Sequence, residues 1–175
     1  MRRTPRAAIL TGVRGAGKTT LCIDLARSSH GYAGIASPPL AGPDSEKIGF
    51  KALCLQTGES WELARSDVAL DGPRVGKYSF SAEGIARALE CIKRSLGGEG
   101  RTIVDEIGPL ELNRGMGYSA VLPLLAGAGD LLLVVRTELV EPLAEYVPRH
   151  AREVFTLTAA SRSALRSGIQ EFLES

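Results

Sequence analysis

A glycine-rich segment near the start of the chain has the residue types and spacing of a phosphate-binding loop. Residues 12–19 read G-V-R-G-A-G-K-T, between an apolar run at 7–11 and a helical pattern that begins at Lys18. The glycines let backbone N–H groups turn toward phosphates, the Lys18 ammonium can reach β- and γ-phosphate oxygens, and the Thr19 hydroxyl can bind Mg²⁺. We therefore predict a nucleoside triphosphate as ligand and Mg²⁺ as cofactor. The residues predicted to bind the nucleotide are Gly12, Val13, Arg14, Gly15, Ala16, Gly17, Lys18, Thr19 and Thr20.

Two adjacent carboxylates, Asp105 and Glu106, follow the apolar residues Ile103 and Val104. A carboxylate at the end of a buried strand supports the hydrated metal of phosphate-loop proteins, which makes Asp105 the Walker-B candidate, directly or through water. Glu106 can then accept a proton from the attacking water or orient it. Lys18 and Glu106 are the predicted catalytic residues, and Thr19 and Asp105 are the predicted metal ligands.

Other cationic and polar residues have weaker indications. Arg136 and Thr137 follow the apolar run 131–135, where either can sense the γ-phosphate or belong to a solvated loop. Arg14 occupies a variable position within the phosphate loop, which favours surface exposure over a phosphate contact.

The elements around these motifs form a pattern of strands alternating with helices. Apolar runs at 102–104, 131–135 and 154–157 are typical of buried parallel strands. Helices are predicted from Lys18 to about Ser28, from the helix cap Ser81 to Gly97, near 118–125 and 140–146, and through 165–172. This order predicts one α/β domain over residues 1–175, with a mainly parallel sheet and a ligand crevice at the carboxyl ends of its strands. The phosphate loop and both carboxylates belong on that edge.

Antiparallel strands are predicted beside the parallel ones. Residues 50–55 and 60–64 flank a glycine-containing turn and predict a hairpin added to the sheet, and residues 75–80 predict another short strand. Trp61 in this hairpin is interpreted as a packing residue rather than a base-stacking one. The proline- and glycine-rich stretch 34–49 predicts an extended loop, with a mobile cover as one interpretation.

The composition excludes several classes of function. Lys plus Arg number 21 against 20 for Asp plus Glu, so a nucleic-acid partner is not favoured. The basic N-terminus, residues 1–6, leads into a run too short for a signal peptide or a membrane span, which predicts a cytoplasmic protein without a membrane partner. Three widely spaced cysteines predict reduced thiols, and two isolated histidines do not favour a metal site.

Several of these segments occur together in a known family. The chain resembles the nucleoside-triphosphatase family that includes the human cancer-related nucleoside-triphosphatase, through segments 12–20, 48–50, 63–65, 75–78 and 105–111. V-G-K-Y at 75–78 followed by D-E-I-G-P-L-E at 105–111 is far more specific than the phosphate loop alone. The resemblance implies a P-loop NTPase of RecA-like, three-layer architecture. It also implies slow Mg²⁺-dependent hydrolysis of ATP, GTP and other nucleoside triphosphates to diphosphate and phosphate.

The same resemblance draws attention to residues without an assigned role and to departures from the family pattern. Lys77 and Glu111 lie in the specific motifs. The segment after the first helix lacks the acidic and basic signature of the family, with Lys47 near its later basic position. Toward the C-terminus, Ser161 replaces an Asn that precedes Arg in the family, and Arg162 either approaches the nucleotide or caps a surface helix.

Two other functions remain compatible with a phosphate loop. A small P-loop kinase would need an acceptor pocket and usually an Arg-rich lid, and no compact Arg-rich lid is evident at 34–49, while Glu106 favours water as acceptor. A nucleotide-dependent switch would act through a protein partner that the sequence does not identify. A regulatory GTPase is disfavoured because the chain's only Asn, Asn113, leaves no Asn-Lys-x-Asp for guanine recognition.

Overall fold

The computed structural model describes residues 3–175, so Met1 and Arg2 of the basic N-terminus lie outside the described residues. In chain order the elements are β1 (Arg6–Thr11), α1 (Lys18–Ser28), β2 (Tyr32–Ala36), β3 (Pro39–Ala41), β4 (Lys47–Cys54), β5 (Ser60–Arg65), β6 (Arg74–Val75), β7 (Tyr78–Phe80), α2 (Ala82–Leu96), β8 (Arg101–Ile107), α3 (Pro109–Leu112), α4 (Leu122–Leu125), β9 (Leu131–Val135), α5 (Val140–Ala144), β10 (Ala151–Thr156) and α6 (Arg162–Glu174). Short 3-10 turns occupy Ser119–Val121 and Thr137–Leu139.

One mixed sheet of ten strands organises the described chain, in the order β10-β1-β9-β8-β2-β4-β5-β7-β6, with β3 paired to β4. Strands β10, β1, β9, β8 and β2 are mutually parallel, and the remaining strands pair antiparallel. All five residues of β9 are buried, because helices cover both faces of the parallel strands. The predicted α/β fold with a parallel core and an antiparallel addition is confirmed. The addition is larger than the single predicted hairpin.

Alternation along the parallel strands divides the core into two layers. Ile9, Val104 and Leu133 face α2, together with Ile85 and Ile92 from that helix. The other face packs on α1 and α6, through the residues Leu10, Ile103, Leu132, Leu21, Leu25, Ile169 and Leu173. The sheet is therefore the middle layer of a three-layer sandwich, as the resemblance implied.

The stretch 34–49 is not the predicted loop, since it contains the end of β2, all of β3 and the start of β4. Gly34 allows β2 to lie against β8, because a Cβ at this position would lie 2.0 Å from the Ile103 carbonyl oxygen. Pro39 is tolerated because β3 pairs only with β4 and needs no donor on its other side. The prolines and glycines that predict a loop here are instead compatible with strands: Pro39 lies on an edge strand, and Gly34 lets two strands approach closely.

Other boundaries differ from the sequence prediction by a few residues. Strand β8 begins at Arg101 and continues through the carboxylate pair to Ile107, one residue past the pair in which the predicted strand ends. Residues 74–80 form a small hairpin rather than one strand, with Gly76 at φ +56° in its turn. The helix cap Ser81 is confirmed, since its hydroxyl accepts a hydrogen bond from Gly84 N at 3.0 Å. Trp61 is half-buried and donates its indole N–H to the Gly84 carbonyl at 2.9 Å, which is a packing role.

None of the helices within residues 3–175 has the length and apolarity needed to cross a membrane. Cys22, Cys54 and Cys91 are free thiols, and all three are buried.

Candidate active site

The phosphate loop connects the end of β1 to the start of α1, at the carboxyl edge of the parallel strands. Gly17 adopts φ +96° and leads directly into the helix, whose first backbone hydrogen bond runs from Leu21 N to Gly17 O at 2.9 Å. Gly12 adopts φ +144°, and a Cβ there would lie 2.6 Å from the Leu157 carbonyl oxygen. Glycine is thus required at Gly12 both by backbone conformation and by space. The loop places the N-terminus of a three-turn helix, with its partial positive charge, beside the expected phosphates.

Lys18 folds back over the loop that precedes it. Its ammonium donates hydrogen bonds to the carbonyls of Gly12 at 2.8 Å and Val13 at 3.1 Å, and the residue is 9% exposed. These contacts hold the charge above the loop instead of letting it extend into solvent. The predicted contact of Lys18 with β- and γ-phosphate oxygens stays a prediction.

Asp105 is the most buried charged residue near the loop, with 1% exposure. One carboxylate oxygen accepts a hydrogen bond from Ser37 N at 3.0 Å, while the other has no hydrogen-bond partner within residues 3–175. Burial raises the pKa of Asp105 to about 6, while the hydrogen bond from Ser37 N and the nearby Thr19 side chain act in the opposite direction. A buried carboxylate with a free oxygen next to a threonine hydroxyl is a donor set that suits a hard cation such as Mg²⁺.

Ser37 was missed by the sequence analysis. It follows β2 directly and its hydroxyl donates to the backbone carbonyl of Asp105, so both its N–H and its O–H fix the carboxylate strand. The only sequence signal for Ser37 is its position directly after the short apolar strand β2. The end of this strand lies in the proline- and glycine-rich stretch that was predicted to be a loop.

Glu106 is less enclosed than Asp105. Arg136 Nε lies 3.4 Å from Glu106 Oε1, and the two side chains are 50% and 38% exposed. An exposed ion pair of this kind contributes at most about 1 kcal/mol, so Glu106 is free to exchange Arg136 for other partners. The structure thus brings Arg136, predicted to end its strand at the active edge, next to the candidate base.

Thr137 and Arg162 lie near the two ends of the phosphate loop. The Thr137 hydroxyl lies 3.1 Å from that of Thr11, the residue immediately before the loop. Arg162 donates to Asp24 of α1 at 2.9 Å, and its guanidinium is the nearest group to the position of a Cβ on Gly17, at 3.4 Å. Arg162 therefore lies beside the loop as well as at the start of α6.

Glu111 supports the segment after the carboxylate pair. It is buried, and its two oxygens accept hydrogen bonds from Gly108 N at 2.8 Å and Tyr118 N at 3.1 Å. Burial raises the pKa of Glu111, while these two N–H groups act in the opposite direction. Its contacts are those of a cap for α3 that also fastens the following turn.

Arg14 and Lys77 meet at Tyr78, away from Lys18. Arg14 Nη2 donates to the Tyr78 hydroxyl at 3.4 Å, and Lys77 Nζ lies 5.3 Å from the Tyr78 ring centroid. Arg14 is exposed, as its variable position predicted, and Val13 and Thr20 are also exposed.

A strand, a glycine-rich loop and a helix at one end of a parallel sheet, with a buried carboxylate on a second strand, define a P-loop nucleotide-binding protein. Comparison with known proteins narrows this class. The chain belongs to the NTPase family, whose model matches residues 7–170.

Individual relatives agree with that assignment. The chain is similar to the nucleoside-triphosphatase THEP1 of Methanopyrus kandleri, with 33% identity over 175 residues that cover 95% of this chain and 94% of that protein. It also resembles the solution structure of a human cancer-related nucleoside triphosphatase, with TM-score 0.70, 27% identity and coverage of 95% and 96%. The crystal structure of THEP1 from Aquifex aeolicus shares the fold, with TM-score 0.71 at 20% identity and coverage of 97% and 99%. The resemblance inferred from the sequence is confirmed.

Proposed function

We propose that this protein hydrolyses the terminal phosphoanhydride bond of Mg²⁺-bound nucleoside triphosphates, ATP and GTP among them, to nucleoside diphosphate and phosphate. The observation that carries the proposal is the buried Asp105 carboxylate, one oxygen of which has no hydrogen-bond partner within residues 3–175. The names of the relatives, which are nucleoside-triphosphatases, support the same reaction.

Charge neutralisation comes first from the loop. Backbone N–H groups of residues 12–19 and the ammonium of Lys18 face the β- and γ-phosphates, whose negative charge must be stabilised when the bond breaks. The hydrogen bonds of Lys18 to Gly12 and Val13 hold its ammonium over the loop, where the proposal places the phosphates.

Thr19 and Asp105 are the residues that would hold Mg²⁺. When bound, the ion would neutralise negative charge on the phosphate oxygens during transfer. Near neutral pH most Asp105 carboxylates are ionised, since the pKa is about 6, and a nearby cation favours ionisation further. Ser37 fixes the rotamer of this carboxylate through its N–H.

Glu106 is the proposed general base. The oxygen of water forms a bond to the γ-phosphorus while the bond from phosphorus to the bridging oxygen breaks, and the electron pair of that bond leaves with the diphosphate. Glu106 takes the proton released by water. Its weak ion pair with Arg136 leaves its second oxygen available for this role.

Phosphate release from purified protein tests the proposal. ATP, GTP, CTP and UTP are supplied without any acceptor, with Mg²⁺ or with EDTA, to the wild type and to Lys18→Ala. We expect Mg²⁺-dependent release from several nucleotides by the wild type and its loss in the folded variant, because the positive charge at the β- and γ-oxygens is gone. Release only when a phosphoryl acceptor is added would indicate a kinase instead. Unchanged hydrolysis by a folded Lys18→Ala variant would contradict the loop assignment.

A further inference from the structure

A ribbon of antiparallel strands projects past the edge on which the phosphate loop lies. Strand β4 runs antiparallel to β2, and Leu53 near its end pairs with Ala36 at the carboxyl end of β2. The start of β4, at Lys47, therefore extends beyond the parallel strands. A register shift between Phe50 and Lys51 marks an irregularity of the kind that bends a strand. The ribbon can thus curve over the loop.

Side-chain contacts join this ribbon to the loop. Arg14 donates to the Tyr78 hydroxyl at 3.4 Å, and the Tyr78 ring lies 5.0 Å from that of Phe50. Two lysines make cation–π contacts with these rings: Lys47 Nζ lies 3.8 Å from the Phe50 centroid, and Lys77 Nζ lies 5.3 Å from the Tyr78 centroid. We call these residues the basic cluster: Arg14, Lys47, Phe50, Lys77 and Tyr78.

The cations of the basic cluster lack an anionic partner in the part of the chain that the structure describes. None of Arg14, Lys47 and Lys77 takes part in a salt bridge there. Burial, together with the charges of Arg14 and Lys77, lowers the pKa of Lys47, whereas Glu106 and Asp105 act in the opposite direction. Lys47 is therefore within electrostatic range of both its like charges and the candidate catalytic carboxylates. Like charges held together repel unless an anion lies between them.

We propose that the basic cluster binds the γ-phosphoryl group of the triphosphate, with Lys47 as the residue that stabilises its charge during transfer. This inference rests on the proposed function, because Glu106 must place water in line with that group. The γ-phosphoryl oxygens then lie between the loop, Glu106 and the ribbon. Charge on these oxygens is what a positioned cation stabilises in phosphoryl transfer. A diphosphate lacks the γ-phosphoryl group and so cannot make this contact.

Equilibrium binding with two nucleotides tests this. The affinities of a non-hydrolysable β,γ-imido triphosphate and of the matching diphosphate are measured with Mg²⁺ for the wild type, Lys47→Ala and Lys47→Arg. Lys51→Ala is the matched control, because it removes an exposed lysine from the same strand. Loss of one charged hydrogen bond predicts about 10-fold weaker triphosphate binding by Lys47→Ala, with diphosphate binding unchanged. Lys47→Arg keeps the charge and should restore most of the affinity.

Turnover gives a second readout on the same preparations. We expect kcat of Lys47→Ala to fall by about 10²-fold, the usual effect of losing one group that stabilises developing charge. Equal weakening of triphosphate and diphosphate, or no weakening of either, would overturn the inference. Failure of the proposed function is seen separately, as absence of Mg²⁺-dependent phosphate release by the wild type and Lys51→Ala.

Discussion

At the scale of residues, two adjacent carboxylates occupy different environments. Asp105 is 1% exposed and fixed by Ser37, whereas the Glu106 side chain is 38% exposed and only weakly paired with Arg136. A buried carboxylate with a free oxygen suits a cation, and a more accessible one suits proton transfer with water. The different burial of these neighbouring residues therefore supports the different roles proposed for them.

Replacing Glu106 by Gln tests the proton-transfer role. The substitution keeps size but removes the base, so we expect single-turnover hydrolysis to slow by about 10²–10⁴-fold. Equilibrium binding of Mg²⁺-nucleotide should change little, because Glu106 does not contact the loop. A normal single-turnover rate would contradict the base assignment, and lost binding would indicate a metal or structural role.

Titration of Asp105 should be visible in the stability of the metal-free protein. Burial raises its pKa from 3.8 to about 6, so the folded state holds the proton more tightly than the unfolded state. The resulting stabilisation is present below pH 4 and is lost as pH rises through 6. The side chain of Asp105→Asn is neutral at every pH. At pH 7 we therefore expect the variant to be more stable than the wild type, with a free energy of unfolding roughly 2 kcal/mol higher.

Urea denaturation in EDTA at pH 4 and pH 7 measures this difference. The difference in the free energy of unfolding between Asp105→Asn and the wild type should be smaller at pH 4, because the wild-type carboxyl is itself neutral there. Asp44→Asn, at an exposed position, serves as control and should show no such pH dependence. A difference between Asp105→Asn and wild type that does not vary with pH would refute the assignment.

At the scale of elements, the antiparallel ribbon depends on close contact between β4 and β5. Gly49 pairs with Arg65, and a Cβ on Gly49 would lie 2.0 Å from the Ala64 carbonyl oxygen. Such a clash with backbone cannot be relieved by a side-chain rotation. The ribbon that presents Lys47 and Phe50 therefore requires glycine at this point.

Gly49→Ala should separate these strands or shift their register. We expect a loss of about 2 kcal/mol or more in the free energy of unfolding, within the range of severe point mutations. Gly127→Ala is the control, since the nearest atom to its Cβ would be 3.9 Å away. Equal stability of the two variants in urea denaturation would contradict the close approach.

Elements with strong local signals could be predicted from the sequence. Features that depend on contacts between residues distant in the chain could not. Strand β9 is continuous in apolar residues and was found with its boundaries, and the cap Ser81 has a local motif. Strand β2 was missed because alanine and glycine have low strand propensity, and its position comes from pairing with β8. The contacts of Arg14 with Tyr78 and of Ser37 with Asp105 likewise arise only from the folded sheet.

At the scale of the whole molecule, nucleotide binding at one edge should stabilise the layers that bury the thiols. Cys22 lies on α1, close behind Lys18, while Cys54 and Cys91 lie in the layer on the other face of the sheet. Burial and the charge of Asp105 raise the pKa of Cys22, and burial raises that of Cys91 to about 12. All three thiols are buried, so their reaction requires the structure to open.

Thiol labelling measures such opening. We expect each cysteine to react far more slowly than a free thiol, and a non-hydrolysable triphosphate with Mg²⁺ to slow labelling further. At a concentration about 100 times Kd, ligand binding lowers the open population about 100-fold.

Mass spectrometry resolves the three sites: protection of all of them indicates global opening, and protection of Cys22 alone indicates opening of α1. Lys18→Ala should lose this protection because it loses the nucleotide. Rapid labelling of Cys22 in the folded wild type, or no protection at any site, would contradict the coupling between the phosphate loop and the core.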